Sequence, residues 1–326
     1  MTPRTRELLQ RLKTPGSILL SLAVIVLAGY GLHHALRHVR PIEVINALRD
    51  LSLHKIAMAL LFCGGSFLAI GSQEYFALKT AGHPLSYPKA LFGGFLAQSI
   101  GHQTGFSVAV GGALRYRFYS VFGVNWRQVA KTQASFSGTL ALALCLQLAV
   151  GMLLHPALFD HAIHLPPGLI RGIGGLLGLA ACIVLLLPLR HKSVTLFGEV
   201  WTMPTTPMLI AQVACSVLDL AFLAASAWSL LPDGLGADYP TMLGIAVASL
   251  VLGIASSVPG GLGIFESSVL LLVAPANRLV AETFGALLAF RAIYYLLPLL
   301  LGLLALGSLE LWQRVRRRGI ARRGPA

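Results

Sequence analysis

Long apolar runs recur along this chain, at 17–35, 56–70, 137–154, 169–189, 208–231, 242–258 and 283–309. Most reach or approach the ~20 residues that carry a helix across the hydrocarbon core of a bilayer. A soluble fold has no place for so many. Hydrophobic residues make up 56% of the chain and charged ones 11%, whereas about 25% of a typical soluble domain is charged. The expected class is therefore an all-α polytopic membrane protein. The first run follows Arg4, Arg6, Arg11 and Lys13 as a signal peptide would. It is longer than an h-region and has no small-residue cleavage site after it, so it reads as a retained span.

Two of the apolar stretches are broken from within. In the sequence Ser256-Ser257-Val258-Pro259-Gly260-Gly261-Leu262-Gly263-Ile264-Phe265-Glu266, helix breakers sit between apolar residues that continue to Val273. Proline lacks a donor, and backbone groups freed in lipid cost several kcal/mol each unless protein or a water-filled cavity receives them. Glu266 falls in the first turn of the following helical piece, where free N–H groups and the positive dipole end favour an anion. The plainer reading is a tight surface loop between two ordinary spans. Over 88–112 the apolar run is interrupted by Gly101-His102-Gln103-Thr104-Gly105 and flanked by the pairs Gly93-Gly94 and Gly111-Gly112. Two short half-helices with an elbow bounded by Gly101 and Gly105 are expected, the alternative being one glycine-rich span whose polar residues pack on neighbours.

The distribution of charge selects a topology. Arg115, Arg117, Arg127 and Lys131 mark one loop as cytoplasmic, as do Arg190 and Lys192, and as do the six arginines from Arg314 to Arg323 for the C-terminal tail. The loops at 155–167 and 232–240 contain no lysine or arginine but hold Asp160, Asp233 and Asp238, which places them outside. With both termini cytoplasmic, 88–112 and 242–273 can make no net crossing, so each is expected to be a re-entrant hairpin. The loop carrying Arg37, Arg40, Arg49 and Lys55 runs against this rule. About six spanning helices and two re-entrant hairpins, eight membrane elements in all, then form an inverted-topology repeat, 1–165 against 166–312, with a basic tail at 313–326. In transporters of that design, discontinuous helices from the two repeats meet near the midplane and build the substrate site. The elbows at Gly101 and Gly105, and at Pro259, Gly260, Gly261 and Gly263, occupy corresponding positions.

Smaller features fit the same picture. Within 41–51, Ile42, Ile45, Leu48 and Leu51 share a helical face, as in an amphipathic helix lying at an interface. Cys63, Cys145, Cys182 and Cys215 lie in apolar runs without CxxC spacing and are expected in the core. His155, Asp160, His161 and His164 match no strong metal-binding spacing, and no metal or other cofactor is expected. No nucleophile with a partner base and no P-loop is present, so neither catalysis nor ATP-driven transport is expected of this chain alone. The basic tail directly follows a span, which makes it a lipid-surface anchor rather than a nucleic-acid contact.

The segments Gly111-Gly112-Ala113-Leu114-Arg115-Tyr116-Arg117-Phe118-Tyr119-Ser120 and Pro259-Gly260-Gly261-Leu262-Gly263-Ile264-Phe265-Glu266 resemble the transmembrane flippase region of the lysylphosphatidylglycerol synthases, also called multiple peptide resistance factors, which stand-alone YbhN-like membrane proteins share. The resemblance extends over nearly the whole chain. It implies movement of an aminoacylated phosphatidylglycerol from the inner to the outer leaflet of a bacterial cytoplasmic membrane, which in that family contributes to resistance to antimicrobial peptides. The chain ends at Ala326 with no aminoacyltransferase domain after it, so synthesis of the lipid is not implied, and stand-alone relatives need not carry an aminoacyl lipid.

Phosphodiester binding calls for arginine, whose planar donors grip phosphate bidentately. Arg115 and Arg117 are the first candidates and Arg291 the next, with a topology-setting role for Arg117 and an ion pair between Arg291 and Glu266 or Asp219 as alternatives. An aminoacyl head group adds an ammonium, for which Glu266, Asp219 and Glu74 are the acids away from loops. Gln98, His102, Gln103 and Thr104 would supply neutral hydrogen-bonding groups at the first elbow. The expected substrate is an anionic or aminoacylated phospholipid. Another amphiphile such as an isoprenoid lipid, or a non-transporting partnership with a separate lipid-modifying synthase, stays open, as does assembly as a homodimer.

Overall fold

The computed structural model describes residues 41–104, 107–156, 159, 165–186, 193–196, 199–202, 204–235, 238–256, 258–273 and 275–322. The expected first span, Arg37, Arg40, Gly105, Asp160, His161, His164 and Arg190 lie outside them.

The described chain is almost entirely helical. Helix α1 (Pro41–Arg49) precedes α2 (Leu53–Thr80), then α3 (Tyr87–Gly101), a 3-10 turn (His102–Thr104) and α4 (Ser107–Tyr119), followed by α5 (Trp126–Leu154) and α6 (Pro167–Leu186). A short antiparallel pair, β1 (Ser193–Leu196) with β2 (Glu199–Thr202), pairs Ser193 with Thr202 and Leu196 with Glu199. It was not expected from hydropathy, although Val194, Thr195, Val200 and Trp201 suit strands. Helices α7 (Thr206–Leu230) and α8 (Tyr239–Ser256), a second 3-10 turn (Pro259–Gly261), α9 (Ile264–Val273), α10 (Asn277–Phe290), a π-helical turn (Arg291–Leu296) and α11 (Leu297–Arg322) complete it. Six helices, at Leu53–Thr80, Trp126–Leu154, Pro167–Leu186, Thr206–Leu230, Tyr239–Ser256 and Leu279–Leu309, are long and apolar enough to cross a membrane. This is an all-α polytopic membrane protein.

Local chemistry sets the helix ends. Ser52 caps α2 by accepting the Lys55 N–H, and Asn125 with Gln128 forms a reciprocal capping box on α5. Asp238 accepts the Thr241 N–H at 3.0 Å, and hydrogen bonding from Thr241 holds its carboxyl below the usual range.

Helices α2 and α7 pair most extensively, at the centre. Small residues allow this closeness, which membrane helices need because apolar surface alone does not drive them together. A Cβ added at Gly65 would stand 3.2 Å from the Phe222 ring, and Ser226 donates across to the Ala59 carbonyl at 3.0 Å. One apolar core surrounds this pair, including Leu223, Met242, Ile245, Phe265 and Phe290. A second lies at the C-terminal end of α2, including Leu78, Leu96, Phe118, Tyr119 and Val129.

Both expected breaks are present. Helices α3 and α4 form a hairpin whose legs touch backbone to backbone, since a Cβ on Gly101 would lie 3.1 Å from Gly111 Cα. Helices α8 and α9 flank the second break, where Gly260, Gly261 and Gly263 have φ of 59°, 60° and 77°. Only glycine visits this left-handed region without penalty. At 15, 13 and 10 residues, α3, α4 and α9 are too short to span alone, whereas α8 has 18.

Two sequence expectations are corrected and a third is met. Arg115 is not in a loop after the first hairpin but inside α4, because the helix runs on through the helix-forming Ala-Leu-Arg segment to Tyr119. Cys182 is exposed on α6 and Cys145 and Cys215 are only partly covered, leaving Cys63 as the buried one, because outer helices turn one face toward lipid. The amphipathic helix α1 packs on α10, yet leaves Ile42 and Ile45 exposed at 55% and 44%, as an interfacial helix would.

Candidate functional site

The two broken segments meet. The turn His102–Thr104 lies against the turn Pro259–Gly261, and a Cβ on Gly260 would come within 3.0 Å of Gln103 Oε1. Positions more than 150 residues apart thereby form one polar junction inside an apolar bundle.

Arg291 holds the second elbow in shape. Its guanidinium donates to the Gly260 carbonyl, to the Gly261 carbonyl at 2.9 Å, and to both carboxylate oxygens of Glu266, Oε2 at 3.2 Å. Glu266 Oε2 also accepts the Gly263 N–H at 2.9 Å. These contacts satisfy carbonyls freed by the break, as hydrocarbon surroundings demand. Arg291 stacks 4.5 Å from the Tyr295 ring, one helical turn on. It also opens the π-helical turn, a distortion that recurs at functional sites.

A second buried pair ties the first hairpin to α2. Arg115 donates from Nε to Glu74 Oε1 at 2.8 Å and Oε2 at 3.1 Å, and from Nη2 to Oε2 at 2.7 Å. Its Nη1 donates to Gln133 Oε1 at 2.6 Å, and Tyr119 donates to Glu74 Oε1 at 3.1 Å. The two side chains are 2% and 0% exposed. In this conformation the arginine is committed to protein, not available to a phosphate.

Asp219 differs from both. It lies in the middle of α7, 6% exposed, and Oδ1 accepts hydrogen bonds from Ser66 on α2 and from Tyr294 at 3.3 Å. Ser66 and Tyr294 hydroxyls are themselves 2.5 Å apart. No arginine or lysine pairs with Asp219 among the described residues.

Asp219 lines a cavity of about 50 Å³ that also touches Gln98, Ser99, His102, Gln103 and Tyr294. A second cavity, of about 90 Å³, runs between the elbows along Ser249, Gly260 and Gly261. His102, Leu250, Ile254 and Tyr295 border both.

The sequence-derived candidates thus separate into groups. Asp219, Gln98, His102 and Gln103 gather on the first cavity; Glu266, Arg291 and the second-elbow glycines gather beside it. Glu74 and Arg115 pair with one another, and Arg117 is exposed on α4. Pro259 begins the second turn and is exposed. Among the described residues no cluster of three or more metal-ligating side chains occurs. Sequence reasoning did not pick out Ser66, Gln133, Tyr119, Tyr294 or Tyr295. Tyr294 and Tyr295 sit three and four positions after Arg291, on one helical face, and that spacing was the available signal. Ser66 and Gln133 carried none.

No known family profile matches the chain. It is 29% identical over 278 residues to an uncharacterized protein of Synechocystis sp., covering 85% of this chain and 86% of the relative. It is 27% identical over 275 residues to the inner membrane protein YbhN of Escherichia coli, covering 82% and 84%. To phosphatidylglycerol lysyltransferase of Staphylococcus xylosus it is 22% identical over 304 residues, which span 92% of this chain but 35% of that enzyme. The resemblance read from two motifs therefore extends along most of the chain, and its relatives include both YbhN and a phosphatidylglycerol lysyltransferase.

Proposed function

We propose that this protein moves an anionic or aminoacylated phospholipid between the leaflets of a bacterial inner membrane, both termini being cytoplasmic. The observation that carries the proposal is the meeting of two helix breaks, residues 102–104 and 259–261, beside two adjoining cavities that share His102 and Tyr295, one bordered by Asp219 and the other by Gly260 and Gly261, within a bundle otherwise built for lipid. A flippase has to give a head group a polar path while the acyl chains stay in hydrocarbon, and broken helices are where membrane folds expose backbone polar groups for that purpose. The glycines let the elbows change shape at little steric cost. The similarity to YbhN and to a phosphatidylglycerol lysyltransferase supports a phospholipid as the substrate and the inner membrane as the site of action. The lipid leaves unchanged in this reading, and a separate synthase supplies any aminoacyl group.

The test is movement of head-group-labelled phosphatidylglycerol, its lysyl and alanyl esters and phosphatidylethanolamine in proteoliposomes, with lipid masses checked before and after. Selective movement that is lost in His102→Ala and Gln103→Ala supports the proposal. Equal leakage of every lipid, no movement, or a changed lipid mass refutes it.

A further inference from the structure

Three carboxylates are buried among the described residues: Glu74, Glu266 and Asp219. Two are neutralised by arginine, Glu74 by Arg115 and Glu266 by Arg291. Asp219 alone has hydroxyl partners only, and both of its hydrogen bonds end on Oδ1. An ionised carboxylate in that setting is expensive, and the available relief is uptake of a proton. Two hydroxyls and one carboxylate are too few oxygens to replace the shell of a metal cation, which takes about six.

The surroundings allow protons to arrive. Ser99 borders the first cavity and Ser249 the second, and His102 borders both. Cavities of about 50 and 90 Å³ exceed the ~15 Å³ that one water requires. The groups that face Asp219 are Cys63 and Ser66 from α2, and Tyr294 and Tyr295 from the π-helical turn, behind which stands Arg291; His102 of the first elbow shares the cavity. On the first cavity the walls from α5 and α8 are apolar, Leu140 and Leu144 with Leu250 and Ile254.

We propose that Asp219 is a proton-binding site that couples lipid movement to a proton gradient, an inference that rests on the transport reading above. Oδ2 takes up a proton when the elbow cavities open to one side of the membrane and releases it when they open to the other. The carboxyl is neutral in one half of the cycle and charged in the other. The proton changes sides and no other bond is made or broken.

The full chain in proteoliposomes tests this. Movement of labelled phosphatidylglycerol is followed under a pH gradient of either sign and under none, the membrane potential being clamped with potassium and valinomycin. The expected result is a several-fold faster rate for one sign, with Asp219→Asn held at one rate in all three conditions. Infrared spectra of the same vesicles across pH should show the carbonyl band of a protonated carboxylic acid that titrates and is missing in Asp219→Asn. Ser66→Ala keeps the carboxyl but removes a donor to its charged form, so the titration midpoint of that band should rise. Lipid movement indifferent to the gradient overturns the coupling, and so does an acid band unaltered by Asp219→Asn or a midpoint unmoved by Ser66→Ala. Absence of any lipid movement overturns the transport reading instead, while the infrared band still decides whether Asp219 takes up a proton.

Discussion

Replacing Arg115 with methionine should be among the most damaging single changes in the chain, and replacing Glu74 together with it should undo much of the damage. The single substitution leaves the Glu74 carboxylate, 0% exposed, with the Tyr119 hydroxyl at 3.1 Å as its remaining side-chain donor. Removing one member of a buried ion pair costs about 3–5 kcal/mol. At about 2 °C per kcal/mol for a chain of this size, the midpoint of thermal unfolding in detergent should fall by about 6–10 °C. Glu74→Met should cost a similar amount, because it strands the guanidinium. In the double variant no charge is stranded. Gln133 loses the donor at its Oε1, while Tyr119 keeps the Ala90 carbonyl at 3.3 Å as acceptor. That leaves about 1–3 kcal/mol for one unsatisfied polar group. The four proteins form a double-mutant cycle, read by thermal unfolding and by denaturant titration. Losses that add, or single losses below about 1 kcal/mol, refute the view of this pair as a buried strut. Lipid movement adds a second reading: a double variant that folds and transports marks Arg115 as structural, whereas one that folds and stays inactive restores it to the phosphate path.

Other expectations are direct. Gly260→Ala forces an L side chain to φ of 59° and drives its Cβ toward Gln103, so it should cost about 1–2 kcal/mol in stability and slow lipid movement, measured by unfolding midpoint and by transport rate. Gly71→Ala would place a methyl 2.9 Å from Leu91 Cα and should cost about 1–3 kcal/mol through overpacking between α2 and α3, again seen in the unfolding midpoint. The Lys55 to Asp233 pair at 3.1 Å is largely solvated on the aspartate side, so Asp233→Ala should change stability by less than about 1 kcal/mol. Asp233→Cys should react with a membrane-impermeant thiol reagent in intact cells, and labelling only after the cytoplasmic side is exposed would overturn the proposed orientation.

The class of fold was legible in the chain because hydropathy is local and additive: about 20 predominantly apolar residues in a row suffice to carry a helix across a bilayer. The two breaks were legible for the same reason, since proline, clustered glycine and an island of polar residues interrupt a helix through their own backbone chemistry. Glu266 at a helix start and a possible partner in Arg291 could also be named, because the acid directly follows a break and a cation within an apolar run demands an acid.

Tertiary structure alone decided which partners were taken. Nothing in the sequence around Arg115 distinguishes a guanidinium at a membrane surface from one sealed 2.7 Å from Glu74, because the answer depends on α2, α4 and α5 closing over it. The junction of residues 102–104 with 259–261, and the isolation of Asp219 beside Ser66 and Tyr294, likewise depend on side chains brought together across more than 70 positions. Pairing in a helical bundle follows from packing among all the helices at once, and no window of sequence contains that information.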